Sequence, residues 1–238
     1  MKLILNENDC ATGEIHFLRE RIKRISRLMP TVVDITSRFA PERARVESFI
    51  QRIYAESYNA KITVNYPTLM SVRDLEGNIM AAVGFRPAGD ERLFLEQYTV
   101  APIEESLSQI YSRTIRRRQI AEIGNLASSG GGASIFLFMA MASHLNNKGI
   151  GHAVVTGTDY LHKKFINLGL NPQKICDATP EAVSGKTEQW GSYYDTNPRV
   201  LTGSITDSLT RLKAALGAEY KDISVPLLPR LHYRCPHV

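Results

Sequence analysis

Three successive glycines directly ahead of an apolar helix are the feature of this sequence most able to do chemistry. The stretch reads Ser128, Ser129, Gly130, Gly131, Gly132, Ala133, Ser134. Glycines let the backbone turn its N–H groups toward one point, and the start of the following helix adds partial positive charge. Together they form an anion cradle, for which a nucleotide or pantetheine pyrophosphate is the natural occupant. A plain flexible turn is the alternative. No Gly-Lys-Ser/Thr follows, so this is not a Walker loop, and the glycine spacing does not fit a dinucleotide fingerprint.

Two other stretches stand out. Arg113, Arg116, Arg117 and Arg118 are the densest run of charge. A solvated loop is the default reading, and docking of a phosphate or an acidic carrier protein is the sharper one if the run lies near the cofactor mouth. Nucleic acid has no support, since no helix-turn-helix, zinc or aromatic-interleaved motif accompanies the arginines. Trp190 to Pro198 is dense in rings and turn residues (Trp190, Tyr193, Tyr194, Asp195, Asn197). It can wall an acyl or amine pocket or seal a core.

The elements that must position these residues follow from periodicity. Residues 1–30 are basic around Arg19, Arg21, Lys23, Arg24 and Arg27, with Ile15, Leu18, Ile22 and Ile25 at helical spacing. They predict an amphipathic helical extension. A strand is expected over Val32–Phe39 and a helix opened by Pro41 to about Ser57. A hairpin joins Leu69–Val72 to Ile79–Phe85, and a strand is expected over Arg92–Val100 and a helix over Pro102–Ser112. Then come a strand (Gln119–Ala127), the glycine loop, a helix (Ser134–Asn147), a strand (Gly151–Thr156) and a helix (Asp159–Leu168), which is a parallel crossover unit. The helix after the glycines is apolar on every side, from Ile135 to Ala142, and is expected to be buried between layers. The fold class is therefore α/β: a mixed sheet with an antiparallel first half, a parallel second half and helices on both faces. Three parts are expected: the extension 1–30, a main domain 31–205, and a helix and tail 206–238 that begins with Leu209, Leu212, Ala215 and Leu216.

With 238 residues, 43% hydrophobic and 22% charged, the chain can bury a sizeable core. No stretch approaches the roughly 20 apolar residues of a membrane-spanning helix. Three scattered cysteines without metal spacing fit a reducing compartment, and Asn6 to Asp9 stand where a secretory leader needs an apolar run. A cytoplasmic protein without a bound metal is expected. Its net charge of +5 favours acidic partners, and the basic N-terminal segment could rest on the inner membrane face.

Glu122 to Ala127, the glycine loop, the apolar helix, Val154 to Thr158 and Phe165 to Leu170 resemble the acyl-cofactor half of the GNAT acyltransferase superfamily. Phe94 to Tyr98, Glu122 to Ala127 and Trp190 to Pro198 together resemble the thermostable hemolysin family, with similarity over roughly residues 33–205. That family is similar in layout to acyl-homoserine-lactone synthases, which move an acyl chain from a carrier thioester to an amine. Glu122 matches a Glu on their strand before the cofactor loop; Asn125 stands where they have an Arg, a departure that bears on the acceptor. The loop also lacks the spaced Arg/Gln pattern of ordinary acetyltransferases.

The resemblance implies an N-acyltransferase that takes its acyl group from coenzyme A or from the phosphopantetheine of an acyl carrier protein. Thioester aminolysis needs a neutral amine, donors for the oxyanion and a proton for the departing thiolate. Glu96 and Glu122, on strands expected to be neighbours, are the candidates for base and substrate positioning. Backbone N–H groups near Asn125, Leu126 and Ala127 could meet the oxyanion and a pantetheine arm, and Tyr193, Tyr194 or Tyr98 could donate the proton. Two competing readings remain: a membrane-active lytic protein, suggested by the family's name, and a non-catalytic acyl-thioester-binding module.

Overall fold

A computed structural model describes residues 1–7, 10–89, 91–183 and 189–223. The end of the expected tail, residues 224–238, lies outside them. The strands are β1 (Lys2–Glu7), β2 (Cys10–Phe17), β3 (Val32–Ser37), β4 (Thr68–Arg73), β5 (Ile79–Pro87), β6 (Ile120–Ser128), β7 (His152–Gly157), β8 (Gln173–Asp177), β9 (Arg199–Ser204) and β10 (Ala218–Asp222). The helices are α1 (Arg19–Ile22), α2 (Arg43–Tyr58), α3 (Ile103–Ile110), α4 (Ala133–Asn147), α5 (Asp159–Asn167) and α6 (Ile205–Leu216). All ten strands form one sheet in the order β10-β2-β1-β3-β4-β5-β6-β7-β9-β8.

The sheet is mixed. The β6–α4–β7 crossover puts β6 and β7 parallel, as its composition requires, and β1 runs parallel to β3. Beyond the crossover the order turns antiparallel again: β9 enters between β7 and β8 and pairs antiparallel with both. The parallel second half is thus confined to one strand pair. Side chains alternate along β6, so Ile120 and Glu122 face the side of α2 and α3, and Ala121 and Ile123 face the side of α4 and α6. Helix α4 lies between the sheet and α6, with Phe136, Leu137, Met139 and Ala140 almost wholly buried. That enclosure explains why it has no polar face. On the opposite face α2 buries Val46, Phe49, Ile50 and Tyr54.

Two expectations are corrected. Residues 1–17 are not a helical extension but a hairpin inside the sheet, with β1 seated between β2 and β3. Leu3 and Leu5, and Ile15 and Phe17, alternate inward at a strand's period of two. Leu18 and Ile25, which completed the helical pattern, are exposed. Only Arg19–Ile22 is helical. Second, Arg92–Val100 is not a strand, since Phe94–Gln97 forms a 3-10 turn. Three of its backbone donors are taken by two buried carboxylates: Glu96 accepts from Leu93, and also from Ile103 at the start of α3, and Glu122 accepts from Phe94 and Leu95. A segment whose N–H groups are captured in this way has no need of a ladder. No helix among the described residues is long and apolar enough to cross a membrane.

Candidate active site

Strand β6 is where the chemistry gathers. Its parallel pairing with β7 ends at Ile123↔Val155, so the two strands part beyond that point and leave a slot. On its other side β6 follows β5 in antiparallel register, with Ala82↔Ala127 and Gly84↔Gly124. Asn125 and Leu126 therefore stand opposite Val83 alone, in a bulge with Asn125 at φ 51°. Asparagine tolerates this left-handed conformation better than most residues, and its side chain hydrogen-bonds the Tyr54 phenol.

Two cavities flank the slot, one on each face. On the side of α4, α5 and α6 lies a cavity of about 260 Å³ whose walls include Leu126, Phe138, Met141, Val155, Leu161 and Phe165. Its wall is mostly apolar, with Asn171, Gln173, Asp207 and Arg211 among the polar groups that border it. On the opposite side lies a smaller one of about 170 Å³ bounded by rings and guanidinium groups, among them Tyr54, Tyr66, Arg86, Arg92, Trp190 and Tyr193. Gly124 and Thr156 line the second cavity, and their neighbours Ile123 and Val155 line the first. Strand alternation thus brings the two cavities to the same point of the sheet.

The floor of the aromatic cavity depends on two glycines. Gly84 and Gly124 are register partners, and the Tyr66 ring lies flat across them: a Cβ on Gly84 would come within 2.5 Å of its Cγ, and one on Gly124 within 2.0 Å of its hydroxyl. Arg86 extends over the far side of that ring, with Cζ 5.6 Å from the centroid. Tyr193 stacks on Tyr54, with centroids 6.2 Å apart, and abuts Trp190 at 5.3 Å. The Tyr193 hydroxyl donates to the Thr156 carbonyl at 3.5 Å. Burial, and then the surrounding phenols, pushes its ionisation well above the usual tyrosine range, so the proton stays on. Tyr98 and Tyr194 share a hydroxyl–hydroxyl hydrogen bond of 2.8 Å.

A family model described as thermostable hemolysin matches residues 36–209. This chain belongs to the thermostable hemolysin family. Among solved structures it is similar to three enzymes. The acyl-homoserine-lactone synthase LasI shares 12% identity over 77% of this chain and 93% of that one, with a TM-score of 0.51. BjaI, a CoA-dependent acyl-homoserine lactone synthase solved with SAM and isopentyl-CoA, shares 12% identity over 78% and 89%, with a TM-score of 0.53. FeeM, an N-acyl amino acid synthase from uncultured soil microbes, shares 15% over 74% and 98%, with a TM-score of 0.50. Identities this low show the fold alone, a GNAT-like mixed sheet. No curated protein matches the chain.

In this thermostable hemolysin family member the two expected acids are not a base pair beside the glycine loop. Glu96 is 5% exposed, and both of its oxygens are taken. The Arg117 fork binds them at 2.8 and 2.7 Å, and the Leu93 and Ile103 N–H groups add bonds of 2.6 and 3.0 Å. Burial pushes the carboxyl upward, but the Arg117 hydrogen bonds and the two backbone donors outweigh it and hold the group at about 2. An acid so anchored is a poor base at neutral pH. Glu122 is equally committed: one oxygen accepts from Leu95 at 2.8 Å, the other from Phe94 at 3.1 Å and from Arg86 Nε at 2.7 Å. Its role in the geometry is to hold Arg86 and the 94–97 turn. Neither acid lines the cavities on the two sides of the slot.

The arginine run is also dispersed. Arg117 belongs to the Glu96 anchor and to Glu104 at 2.8 Å, and Arg113 meets His152 at 3.0 Å. Arg116 and Arg118 are exposed at the Ile120 end of β6, and the glycine loop follows its Ser128 end. The full length of the strand separates this run from the loop, so it does not sit at a cofactor mouth there. The glycine loop takes left-handed backbone throughout, with φ of 94°, 60° and 87° at Gly130, Gly131 and Gly132. Ser129 is tied to the Met80 carbonyl, and Ser128 Oγ accepts from the Gly130 N–H. Ser26 Oγ donates to the Gly131 carbonyl at 2.6 Å, and Ile25 lies against Gly132. The basic stretch of residues 19–27 therefore borders the loop. Lys164, from α5, hydrogen-bonds Ser134 Oγ in the first turn of α4.

Residue spacing along the chain pointed to neither Arg86 nor Tyr66. The available signal was the hairpin register: continuing the β4–β5 alternation onto β6 makes Arg86 and Glu122 direct partners, a charge pair on one face.

Proposed function

We propose that this chain is an N-acyltransferase that moves an acyl group from a coenzyme A or carrier-protein thioester to a small amine. The observation that carries this reading is the meeting, where β6 and β7 part, of a larger, mostly apolar cavity with a smaller one bounded by rings and two guanidinium groups. A reaction that joins an alkyl chain to a polar nucleophile needs such an arrangement, with the thioester carbonyl in the slot between them.

In this reading the acyl chain lies among Phe138, Leu161 and Phe165, where hydrocarbon burial contributes roughly 0.8 kcal/mol per methylene. The pantetheine arm runs along the open edge of β6 past Gly124. Its phosphates rest on the glycine loop at the start of α4, beside Lys164 and the basic residues 19–27. These residues, rather than Arg113, Arg116 and Arg118, face the donor's charge. The amine enters from the aromatic cavity and attacks the carbonyl carbon, and N–H groups of the Asn125–Leu126 bulge stabilise the oxyanion. When the C–S bond breaks, a phenol on the cavity wall protonates the leaving thiolate; in this reading Tyr98, hydrogen-bonded to Tyr194, takes that role, Tyr193 serves as wall because its own proton is held, and the proton shed by the amine restores the donor. Glu122 acts as a positioning residue, through Arg86.

The test is thiol release by the purified protein, followed with a thiol-reactive chromophore across acyl-CoA and acyl-carrier substrates and a panel of amines, with mass spectrometry of the products. One amide formed in step with free thiol supports the proposal. Saturable binding of acyl thioesters without thiol release overturns it in favour of a binding module. Release of contents from vesicles without any thioester overturns it in favour of a lytic protein.

A further inference from the structure

The charge in the smaller cavity carries more information than its shape. Arg86 and Arg92 both line it, and no Asp or Glu does among the described residues. Arg86 commits only Nε, to Glu122; its Nη pair meets no protein acceptor among the described residues. Arg92 gives one Nη to the Glu96 carbonyl at 3.0 Å, and its other donors meet no protein acceptor among the described residues. Two residues of the lining, Trp190 and Thr156, each carry a buried polar atom, Nε1 and Oγ1, with no hydrogen-bond partner among the described residues. Orphaned buried donors cost free energy unless a ligand satisfies them.

We infer that the acceptor bound here is a free α-amino acid, held by its carboxylate on the Arg86 and Arg92 guanidinium groups with its side chain against Trp190 and Phe94. This deepens the acyltransferase reading and rests on it. A planar guanidinium edge matches a carboxylate and gives charge-assisted bonds. Trp190 Nε1 and Thr156 Oγ1 supply neutral donors to the same anion or, for the threonine, an acceptor for the amine. The charge also bears on reactivity. Arg86 is balanced by Glu122, but Arg92 pairs with no carboxylate among the described residues and disfavours an ammonium group beside it, so the bound amine loses its extra proton to solvent more readily and no protein base is needed. The balance is then simple. The neutral amine nitrogen forms the C–N bond, the C–S bond breaks, and the second amine proton ends on the thiol. The products are an N-acyl amino acid and free thiol. A sulfonium-bearing acceptor would meet repulsion in the same cavity.

Trp190 is the sole tryptophan of the chain and reports on this cavity directly. The full-length protein is titrated, with excitation selective for tryptophan, against non-tryptophan amino acids, the decarboxylated amine of each, and S-adenosylmethionine. Leucine with 3-methylbutylamine and phenylalanine with phenethylamine are two such pairs. At least one amino acid is expected to give a saturable change, with its amine at least about tenfold weaker, the size of one lost charge-assisted bond. Arg92→Gln should bring that ratio down about tenfold, and Arg92→Lys should restore part of it, with unchanged circular dichroism confirming the fold. The inference is overturned if amines bind as tightly as their amino acids, if none of the amino acids binds, or if S-adenosylmethionine binds more tightly than all of them. Thiol release separates this from the broader reading. Turnover with simple amines and no carboxylate preference sinks the amino-acid assignment alone, and amino-acid binding without any thiol release sinks the transferase alone.

Discussion

Removing Arg117 should unfold the protein more readily without touching its chemistry. The Arg117 guanidinium pairs with Glu96 through both Nη atoms at 2.8 and 2.7 Å, reaches Glu104 at 2.8 Å, and donates to the carbonyls of Gly89 and Glu91 at 2.9 and 2.6 Å. Arg117→Met leaves the Glu96 carboxylate buried with only the Leu93 and Ile103 N–H groups. Stripping one partner from a buried ion pair costs about 3–5 kcal/mol. The Arg117 side chain retains 21% of its exposure, which places the expected loss near the lower end, about 3 kcal/mol. Urea unfolding at pH 7, followed by far-UV circular dichroism, measures it. Glu96→Gln should cost less, about 1–2 kcal/mol, because an amide still accepts the backbone hydrogen bonds. The double variant should fall short of the sum by about 2 kcal/mol. The pH dependence has a definite sign. Glu96 sits at about 2 in the folded chain against an ordinary 4.5, so the unfolded state binds the extra proton, and this contribution is lost as pH falls from about 4.5 to 2. In Arg117→Met the Arg117 hydrogen bonds and charge no longer lower the Glu96 carboxyl, so that loss should shrink. A cost below about 1 kcal/mol with unchanged acid sensitivity would refute the anchoring role. A fall in kcat of several orders in Glu96→Gln at unchanged stability would return Glu96 to the role of base.

Other consequences follow from the same geometry. Gly124→Ala would drive a methyl into the Tyr66 ring; an expected loss of about 1–3 kcal/mol in urea unfolding should accompany a raised KM for the amine. Ala142→Phe would fill part of the apolar cavity it lines. Thiol-release assays across acyl lengths should show long chains penalised by roughly 0.8 kcal/mol per displaced methylene and short chains spared. His152 is buried, and burial followed by the Arg113 charge lowers its ionisation from 6.5 to about 4. Its stabilising contribution is complete above about pH 6.5 and is lost as pH falls toward 4, on the order of 3 kcal/mol. His152→Phe should flatten the stability profile in that window.

Much of the scaffold was legible in the sequence because local signals and tertiary demands agreed there. The α4 run of apolar residues, bounded by Gly132 and Gly149, and the β4–β5 hairpin are such cases. At the N-terminus they disagreed. Ile15, Leu18, Ile22 and Ile25 satisfy a helical template while Ile15 and Phe17 satisfy a strand, and pairing with β1 and β10 decided for the strand. The Arg92–Val100 segment was unreadable for a different reason. Its turn is built by carboxylates at positions 96 and 122, and a capture by Glu122 across nearly thirty residues leaves no local pattern. At the candidate site, the glycine loop and the Trp190–Tyr194 wall were visible as residue types. The guanidinium groups of Arg86 and Arg92 acquire meaning only once Tyr66, Gly84 and Gly124 bring β5 and β6 under the cavity.

The most direct measurement is a crystal structure of the protein with a non-hydrolysable acyl-CoA thioether, with a chain of about ten carbons to match the apolar cavity. The account predicts density for the alkyl chain between Phe138, Leu161 and Phe165, the sulfur in the slot beyond Ile123 and Val155, and phosphates at the start of α4. An alkyl chain lodged elsewhere, with the slot unvisited, would contradict it.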